Sequence, residues 1–335
     1  MNRIIIPRLW KPLTDPDFGL MTLFSRSIEA AETRDKNYLP DLRRGSVMFV
    51  ASDYSGQNDF ADYQSLSFLF ADLNYCNTWE KKRQILRQQY LADGRRMAFK
   101  NLNDNKRWKA LPAFLEAADT IPGLVATILI DKRINNLFKK SGSFDMNQPE
   151  LRPYSHWKQS SFIKVLSIIH FVSFFIAGLS APNQDIIWIT DEDEIAANES
   201  RLRELTTLWG NILSHYTQHN LRHLRCGTTR SDNGSREIED LASIPDLIAG
   251  TLTELLTMQR AEGLLPKSTF IVPPPKRLSK KTIEIMNWFS TTHQPLKRLV
   301  FVVEPVTDST ELLVKRLQFH NENGGGTISL DIAFP

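Results

Sequence analysis

The stretch GSVMFVASDYSG, residues 45–56, decides how the fold of this chain is interpreted. Residues 47–52 are nearly all apolar, a pattern typical of a strand that is buried on both faces of a sheet. Ser55 and Gly56 then form a turn signal, so the predicted strand ends at Asp53. Open α/β sheets place their chemistry at the carboxyl ends of strands, which makes Asp53 a candidate site residue. The alternative is a turn aspartate that only caps the next segment.

Two later apolar stretches have the same form. Residues 124–131 read LVATILID and residues 185–191 read DIIWITD, so each predicted strand also ends in an aspartate, Asp131 or Asp191. Asp193 is the alternative to Asp191. Three buried strands that each end in an acid indicate a shared site.

A fourth acid, Asp246, follows Ser243 and Pro245. Serine as a cap and proline in the first turn predict a helix that begins near residue 242. Asp246 would then lie in the first turn, where free backbone N–H groups and the helix dipole favour an ionised carboxylate.

The other predicted elements complete the order of the chain. Strands are predicted at 65–71 and, as a short third strand, at 95–100, and helices at 78–91, 108–120, 160–179 and 199–224. The order strand, strand, short strand, helix, strand, helix, strand, helix is that of the RNase H-like fold. It predicts an α/β protein whose mixed sheet has three antiparallel strands followed by two parallel ones, with helices on both faces. Asp53 and Asp131 are then expected on neighbouring parallel strands, Asp191 one strand further out, and Asp246 across them on the last helix.

The chain also resembles a large bacterial family of uncharacterised RNase H-like proteins, a domain of unknown function. In that family the first strand ends in D-E-S-G and the last helix carries A-D-L-I-A-G; this chain has DYSG at 53–56 and PDLIAG at 245–250. The resemblance covers residues 46–258, with Tyr54 in place of the usual Glu and Pro245 in place of the usual Ala. It implies a nuclease and, at the level of the family, a role in defence against mobile elements.

Composition limits the function classes. The chain has 335 residues, 41% of them hydrophobic, which is enough for a large core of one α/β domain. Only two cysteines are present, so a disulfide framework is excluded and a cytoplasmic protein is expected. No export signal is recognised at the N-terminus, and the apolar run 165–179 is expected to be a buried helix too short to span a membrane. The predicted organisation is an N-terminal arm (1–44), an RNase H-like catalytic core (45–262) and a small C-terminal α+β appendage (263–335) that docks a protein partner.

Positive charge is concentrated in one part of the chain, although the net charge is only +3. Residues 81–140 contain 14 Lys and Arg residues against five Asp and Glu. This predicts either a solvated basic face or a surface that binds the phosphates of nucleic acid, RNA or DNA. The predicted binding residues are Arg95, Arg96, Lys100, Lys106, Arg107, Lys132 and Arg133.

The acids predict the chemistry. Several carboxylates gathered at one point cannot all stay ionised without a cation, and hard oxygen ligands select Mg²⁺ or Mn²⁺. Two such ions about 4 Å apart would activate water and stabilise the leaving oxygen of a phosphodiester. Asp53, Asp131, Asp191 and Asp246 are therefore the predicted metal ligands and catalytic residues of a nuclease.

Other interpretations are weaker or remain open. Residues 191–193 fit the D-x-D of a Toprim domain, but the early Glu which that fold needs is not evident. A P-loop is excluded because the glycines 324–326 lack the following Lys and Ser or Thr. His215, His219 and His223 follow helical spacing, yet lack companion ligands for a metal site. The main alternative is a catalytically inactive RNase H-like subunit that binds nucleic acid or serves as a partner or sensor subunit.

Overall fold

A computed structural model describes residues 8–137, 148–191, 195–264, 275–291, 294–307, 309, 311–322 and 325–333. Its strands are β1 (Val47–Ser55), β2 (Tyr63–Asp72), β3 (Gly123–Asp131), β4 (Asp185–Thr190), β5 (Leu224–Thr228), β6 (Leu296–Pro305), β7 (Leu312–Glu322) and β8 (Gly325–Ala333). Its α-helices are α1 (Leu20–Arg34), α2 (Asn77–Tyr90), α3 (Asn105–Ala118), α4 (Gln159–Leu179), α5 (Glu199–Tyr216), α6 (Glu237–Ala261) and α7 (Lys280–Phe289).

The strands form one mixed sheet in the order β5-β4-β1-β2-β3-β6-β7-β8. β2 is antiparallel to β1 and β3, whereas β4 is parallel to both β1 and β5. The first five strands therefore have three antiparallel members followed by two parallel ones, in the order of the RNase H-like fold. The predicted fold class is confirmed.

The predicted position of the third strand is wrong. Residues 95–98 have no regular structure, and a short 3-10 helix (Phe99–Asn101) follows them. The third strand is β3, so β2 lies between β1 and β3 and the predicted parallel pairing of Asp131's strand with β1 does not occur. Met97 and Ala98 look strand-like in sequence because they are buried, and their burial comes from packing rather than from a sheet.

Successive side chains of β1 point to opposite faces of the sheet and pack in two separate cores. Met48 and Val50 pack in the layer of α1, α4 and α5, whereas Phe49 and Ala51 pack in the layer of α2, α3 and α6. Asp53 has the parity of Phe49 and Ala51, so its side chain points to the α6 side. This decides which residues of the other elements it can meet.

α4 is the most apolar helix and begins one residue before the predicted helix 160–179. It has 21 residues, long enough to cross a membrane by length and composition, as is α6. Most of each helix is buried inside the protein: 78% of the most apolar 18-residue stretch of α4 and 83% of that of α6. Both helices are thus covered by the two cores described above.

The helix boundaries correct two further predictions. α5 ends at Tyr216, residues 217–223 form neither helix nor strand, and β5 begins at Leu224, so the three histidines do not share a helix face. α6 begins at Glu237 rather than near residue 242, which places Pro245 and Asp246 in the helix interior and not in its first turn.

The C-terminal α+β region is present, and its strands continue the core sheet. β6 pairs in parallel with β3, and β7 and β8 follow antiparallel. Val300, Phe301, Val302 and Val303 of β6 are almost completely buried. This region and the core therefore share one sheet.

Candidate active site

The register of β1 and β4 brings Asp53 and Asp191 side by side. Ser52 of β1 pairs with Thr190 of β4 in the parallel ladder, so the next residue on each chain, Asp53 or Asp191, lies at the same level. Ile189, two residues before Asp191, packs in the same core layer as Ala51. Both acids therefore face α6 at the carboxyl ends of two adjacent parallel strands.

Asp246 reaches this point from α6, which packs over β1. Its Oδ2 accepts a hydrogen bond of 2.6 Å from the backbone N–H of Phe99. One helical turn later, Gly250 lets Phe99 approach the helix: a Cβ at that position would lie 2.3 Å from the Phe99 ring. The D-L-I-A-G motif therefore combines an acid with the small residue that allows residues 95–101 to pack against it.

Residues 95–101 are fixed to α6 at further points. Ser243 Oγ donates a hydrogen bond of 2.7 Å to the Met97 carbonyl. On the outer side, Arg107 Nε donates to the Arg96 carbonyl at 2.8 Å, and Lys281 Nζ lies 4.0 Å from the centre of the Phe99 ring. These contacts hold Arg96 between α6 and the ends of β1 and β4.

Arg96 is the cation of the acid cluster. Its Nη1 and Nη2 donate to the two carboxylate oxygens of Asp191 at 3.4 and 3.3 Å. Its charge also lowers the pKa values of Asp53 and Asp246, and all three acids raise the pKa of Arg96 although burial lowers it. One guanidinium is therefore shared among three carboxylates.

The pKa values of the acids reflect this excess of three carboxylates over one guanidinium. Asp53 is 8% exposed, and burial raises its pKa well above the usual range, with further increases from the charges of Asp246 and Asp191. Burial likewise raises the pKa of Asp246, while the Phe99 hydrogen bond and Arg96 lower it. Such raised pKa values mark a point where additional positive charge would be favourable.

An open cavity lies beside the acids. It has a volume of about 390 Å³ and is lined by Asp53, Asp191 and residues 54–58. The cluster is thus reachable from solvent along the turn that follows β1.

Tyr54 lies on the other side of the sheet. Its hydroxyl is 2.7 Å from Ser52 Oγ and 3.2 Å from Thr190 Oγ1, within the α4 layer. A glutamate at position 54 would also point away from Asp53 and Asp246 because neighbouring residues of a strand face opposite ways. The Glu-to-Tyr difference from the family motif therefore removes no carboxylate from this cluster.

The structure does not bring Asp131 to the other acids. It ends β3, with β2 between it and Asp53, and it is fully buried. Arg133 and Arg260 pair with its carboxylate, and their hydrogen bonds lower its pKa to about 2 although burial raises it. The prediction that Asp131 lies next to Asp53 is wrong because the strand that ends at Asp131 is the third strand of the sheet, not the fourth. Asp193, the alternative to Asp191, lies outside the described residues.

The predicted basic surface is mostly paired within the protein. Arg95 bonds Asp93 and Asp104, Lys106 bonds Asp93, and Arg107 contacts Asp104. The Lys132 ammonium donates to the Asn58 carbonyl. Lys100 is exposed and lowers the pKa of Asp246, and Arg133 keeps 65% of its side chain exposed. Of the seven predicted residues, Arg96 is the one whose guanidinium hydrogen-bonds an acid of the cluster, Asp191. The sequence did not predict this pairing.

The donor chemistry suits a hard divalent cation, since carboxylate oxygens are the ligands that Mg²⁺ and Mn²⁺ prefer. In the arrangement described here Arg96 supplies the positive charge. Across the described ranges, no group of three or more His, Cys, Asp or Glu side chains is arranged to hold a metal ion.

Comparison with known proteins gives little further information. No protein-family model and no curated protein sequence matches this chain. Among solved structures, the chain is similar to ribonuclease H2 from Pyrococcus horikoshii OT3, with a TM-score of 0.33 and 11% sequence identity over 72% of this chain and 86% of that one. The assignment of the RNase H-like fold therefore rests on the strand order and directions.

Proposed function

We propose that this protein hydrolyses phosphodiester bonds of nucleic acid with Asp53, Asp191 and Asp246 as the ligands of Mg²⁺ or Mn²⁺. The observation that carries the proposal is the proximity of three carboxylates from β1, β4 and α6, whose charges act on one another's pKa values; two of them, Asp53 and Asp191, line an open cavity. Two of the three acids, Asp53 and Asp246, have raised pKa values because burial and neighbouring negative charge disfavour their ionised forms. The proposal departs from the sequence prediction by leaving out Asp131.

The chain's own residues supply the framework for this chemistry. Asp53 and Asp191 are held by the parallel ladder, and Asp246 is oriented by the Phe99 N–H. A divalent ion at these acids would lower the pKa of a bound water and neutralise charge on a phosphate. Exposed cations near the cluster, above all Lys100, would attract the nucleic-acid backbone.

A second candidate function is favoured by Arg96. Because this guanidinium already neutralises part of the cluster, the acids can persist without a metal ion. The protein would then be a non-catalytic RNase H-like subunit that binds nucleic acid or a partner. Membership of the resembling bacterial family, a cytoplasmic location and a partner at the C-terminal region remain predictions under either candidate.

The test is cleavage of labelled single-stranded and duplex RNA and DNA with Mn²⁺ or Mg²⁺. We expect wild-type cleavage that chelator abolishes, and losses of at least about 100-fold in Asp53→Asn and Asp246→Asn, comparable to the loss of one group that stabilises the charge of a transition state. Asp185→Asn is the matched control, since Asp185 begins β4, at the opposite end of that strand from Asp191, and pairs with Arg222 and His223.

Two results separate the candidates. Cleavage that persists in both cluster variants would remove these acids from the mechanism. Metal-independent binding of nucleic acid without any cleavage would establish the second candidate.

A further inference from the structure

Phe60 is exposed to an unusual degree. Phe60 is 91% exposed, whereas the next most exposed large apolar residue within the described ranges, Ile85, is 62% exposed. Single exposed apolar residues are common on protein surfaces, so exposure alone assigns no role. The position and the support of Phe60 are what distinguish it.

Several hydrogen bonds fix the turn that carries Phe60. Asn58 Oδ1 accepts hydrogen bonds of 3.1 Å from the N–H groups of Phe60 and Ala61, and Lys132 Nζ donates to the Asn58 carbonyl. Gly56, with φ of 85°, allows the tight exit from β1, since a Cβ there would lie 2.0 Å from the Tyr63 carbonyl oxygen. Phe60 is thus displayed by a defined turn.

The same turn separates two open cavities. Residues 55–58 line the cavity of Asp53 and Asp191. Asp59, Ala61 and Asp62 line a second cavity of about 460 Å³, together with Asp131, Lys132, Arg133 and Arg260. Phe60 therefore stands between the carboxylate cluster at the end of β1 and a guanidinium-bearing cavity at the end of β3.

A nucleic-acid strand could contact the acid cluster, Phe60 and the arginine-lined cavity in turn. Arg133, whose side chain is 65% exposed while it pairs with Asp131, can meet a phosphate, and the face of an aromatic ring can stack on a base. Asp59 and Asp62 line the same cavity and oppose a purely electrostatic attraction, so charge alone does not account for the surface. Inside an undistorted duplex both faces of a base are covered by neighbouring pairs, so an unpaired base is the one that can stack on a side chain without opening the helix.

We propose that Phe60 is a stacking platform for an unpaired nucleobase of the strand whose phosphodiester lies at Asp53. The inference rests on the proposed function and narrows its substrate to single-stranded nucleic acid or to an unpaired segment. Phe60 is a binding residue and takes no part in bond cleavage.

The experiment measures binding in chelator, so it does not depend on catalysis. Short single-stranded oligonucleotides that contain 2-aminopurine report affinity by anisotropy and stacking by quenching of the fluorescent base. We expect Phe60→Leu to bind about 5- to 150-fold more weakly and to lose the quenching, and Phe60→Tyr to resemble wild type. The control is Tyr75→Leu, because Tyr75 is 55% exposed in the 3-10 helix that follows β2, near the start of β1 and so at the opposite ends of the strands from Asp53.

Each contrary result has a distinct meaning. Equal binding by wild type and Phe60→Leu, or an equal loss in Tyr75→Leu, would overturn the inference. So would a preference for fully paired duplex, or a Phe60→Leu effect confined to self-association of the protein. Phe60-dependent binding without cleavage under Mn²⁺ would leave the inference standing and reject only the proposed hydrolysis.

Discussion

Arg96 supplies the positive charge that allows three carboxylates to coexist in this cluster. A divalent ion would supply the same charge, so the guanidinium and the ion compete. We predict that Arg96→Gln binds Mn²⁺ about 5- to 150-fold more tightly than wild type in isothermal titration, the usual range of coupling between two ligands. Without metal, the same variant should be less stable than wild type because the acids lose their partner.

Arg95→Gln is the control for this prediction. Arg95 is the adjacent cation, but it pairs with Asp93 and Asp104 and not with the cluster acids. Its removal should leave Mn²⁺ affinity unchanged. Weaker Mn²⁺ binding in Arg96→Gln would show instead that Arg96 positions Asp191 for the ion.

Sequence patterns singled out the three acids of this cluster as candidate site residues, and the structure brings them together. Asp53 and Asp191 stood out because apolar strands end at them, and Asp246 because of the motif around it. Arg96 was recognised only as one of many cations in a basic segment. Its contact with Asp191 depends on Ser243 and Gly250, far along the chain, and no local pattern expresses that packing.

At the scale of elements, the apolar character of a segment was easier to predict than its ends and partners. Residues 243–245 looked like a helix start, yet α6 begins earlier because Asp232 accepts a hydrogen bond of 2.9 Å from the Ile238 N–H. Pro245 stays within the helix, where it lacks the N–H that would bond the Leu241 carbonyl. Tertiary packing of α6 thus overrides a strong local signal.

The packing of α4 on α5 gives a pH prediction. His170 Nδ1 of α4 lies 2.8 Å from the Tyr216 hydroxyl of α5, and burial lowers the pKa of His170 to about 4. Its unfolded value is about 6.5, so between pH 6.5 and 4 the unfolded chain binds more protons than the folded one. The contribution of His170 should therefore reduce the free energy of unfolding by about 1.4 kcal/mol for each pH unit of acidification in that window.

The measurement is urea unfolding across this pH range for wild type and His170→Gln, which keeps a hydrogen-bonding group but does not titrate. The difference between the two curves isolates the histidine from other groups. We expect it to be flat above pH 6.5 and to grow below it. Parallel curves throughout would contradict the assignment.

At the scale of the whole molecule, β6 joins the C-terminal strands to the core through both backbone and side chains. Glu304 of β6 accepts hydrogen bonds from the Tyr63 hydroxyl and from Lys315 Nζ, and Arg260 of α6 lies 3.4 Å from it. Arg260 in turn pairs with buried Asp131. The acid predicted to hold a metal ion therefore belongs to a network that connects β3, α6 and β6.

This continuity predicts the behaviour of a nicked protein. With a specific protease site inserted between residues 264 and 275, cleavage of the folded protein should leave the two pieces associated, because separation would expose the buried face of β6 and the free edge of β3. The pieces should co-elute in size-exclusion chromatography in native buffer and separate only in denaturant. An independently folded appendage would instead elute alone directly after cleavage, with the core unchanged in its unfolding transition. If the pieces did separate, Arg260 would lose Glu304 and keep only Asp131 of its acid partners within the described residues, which would lower the stability of any core that remained folded.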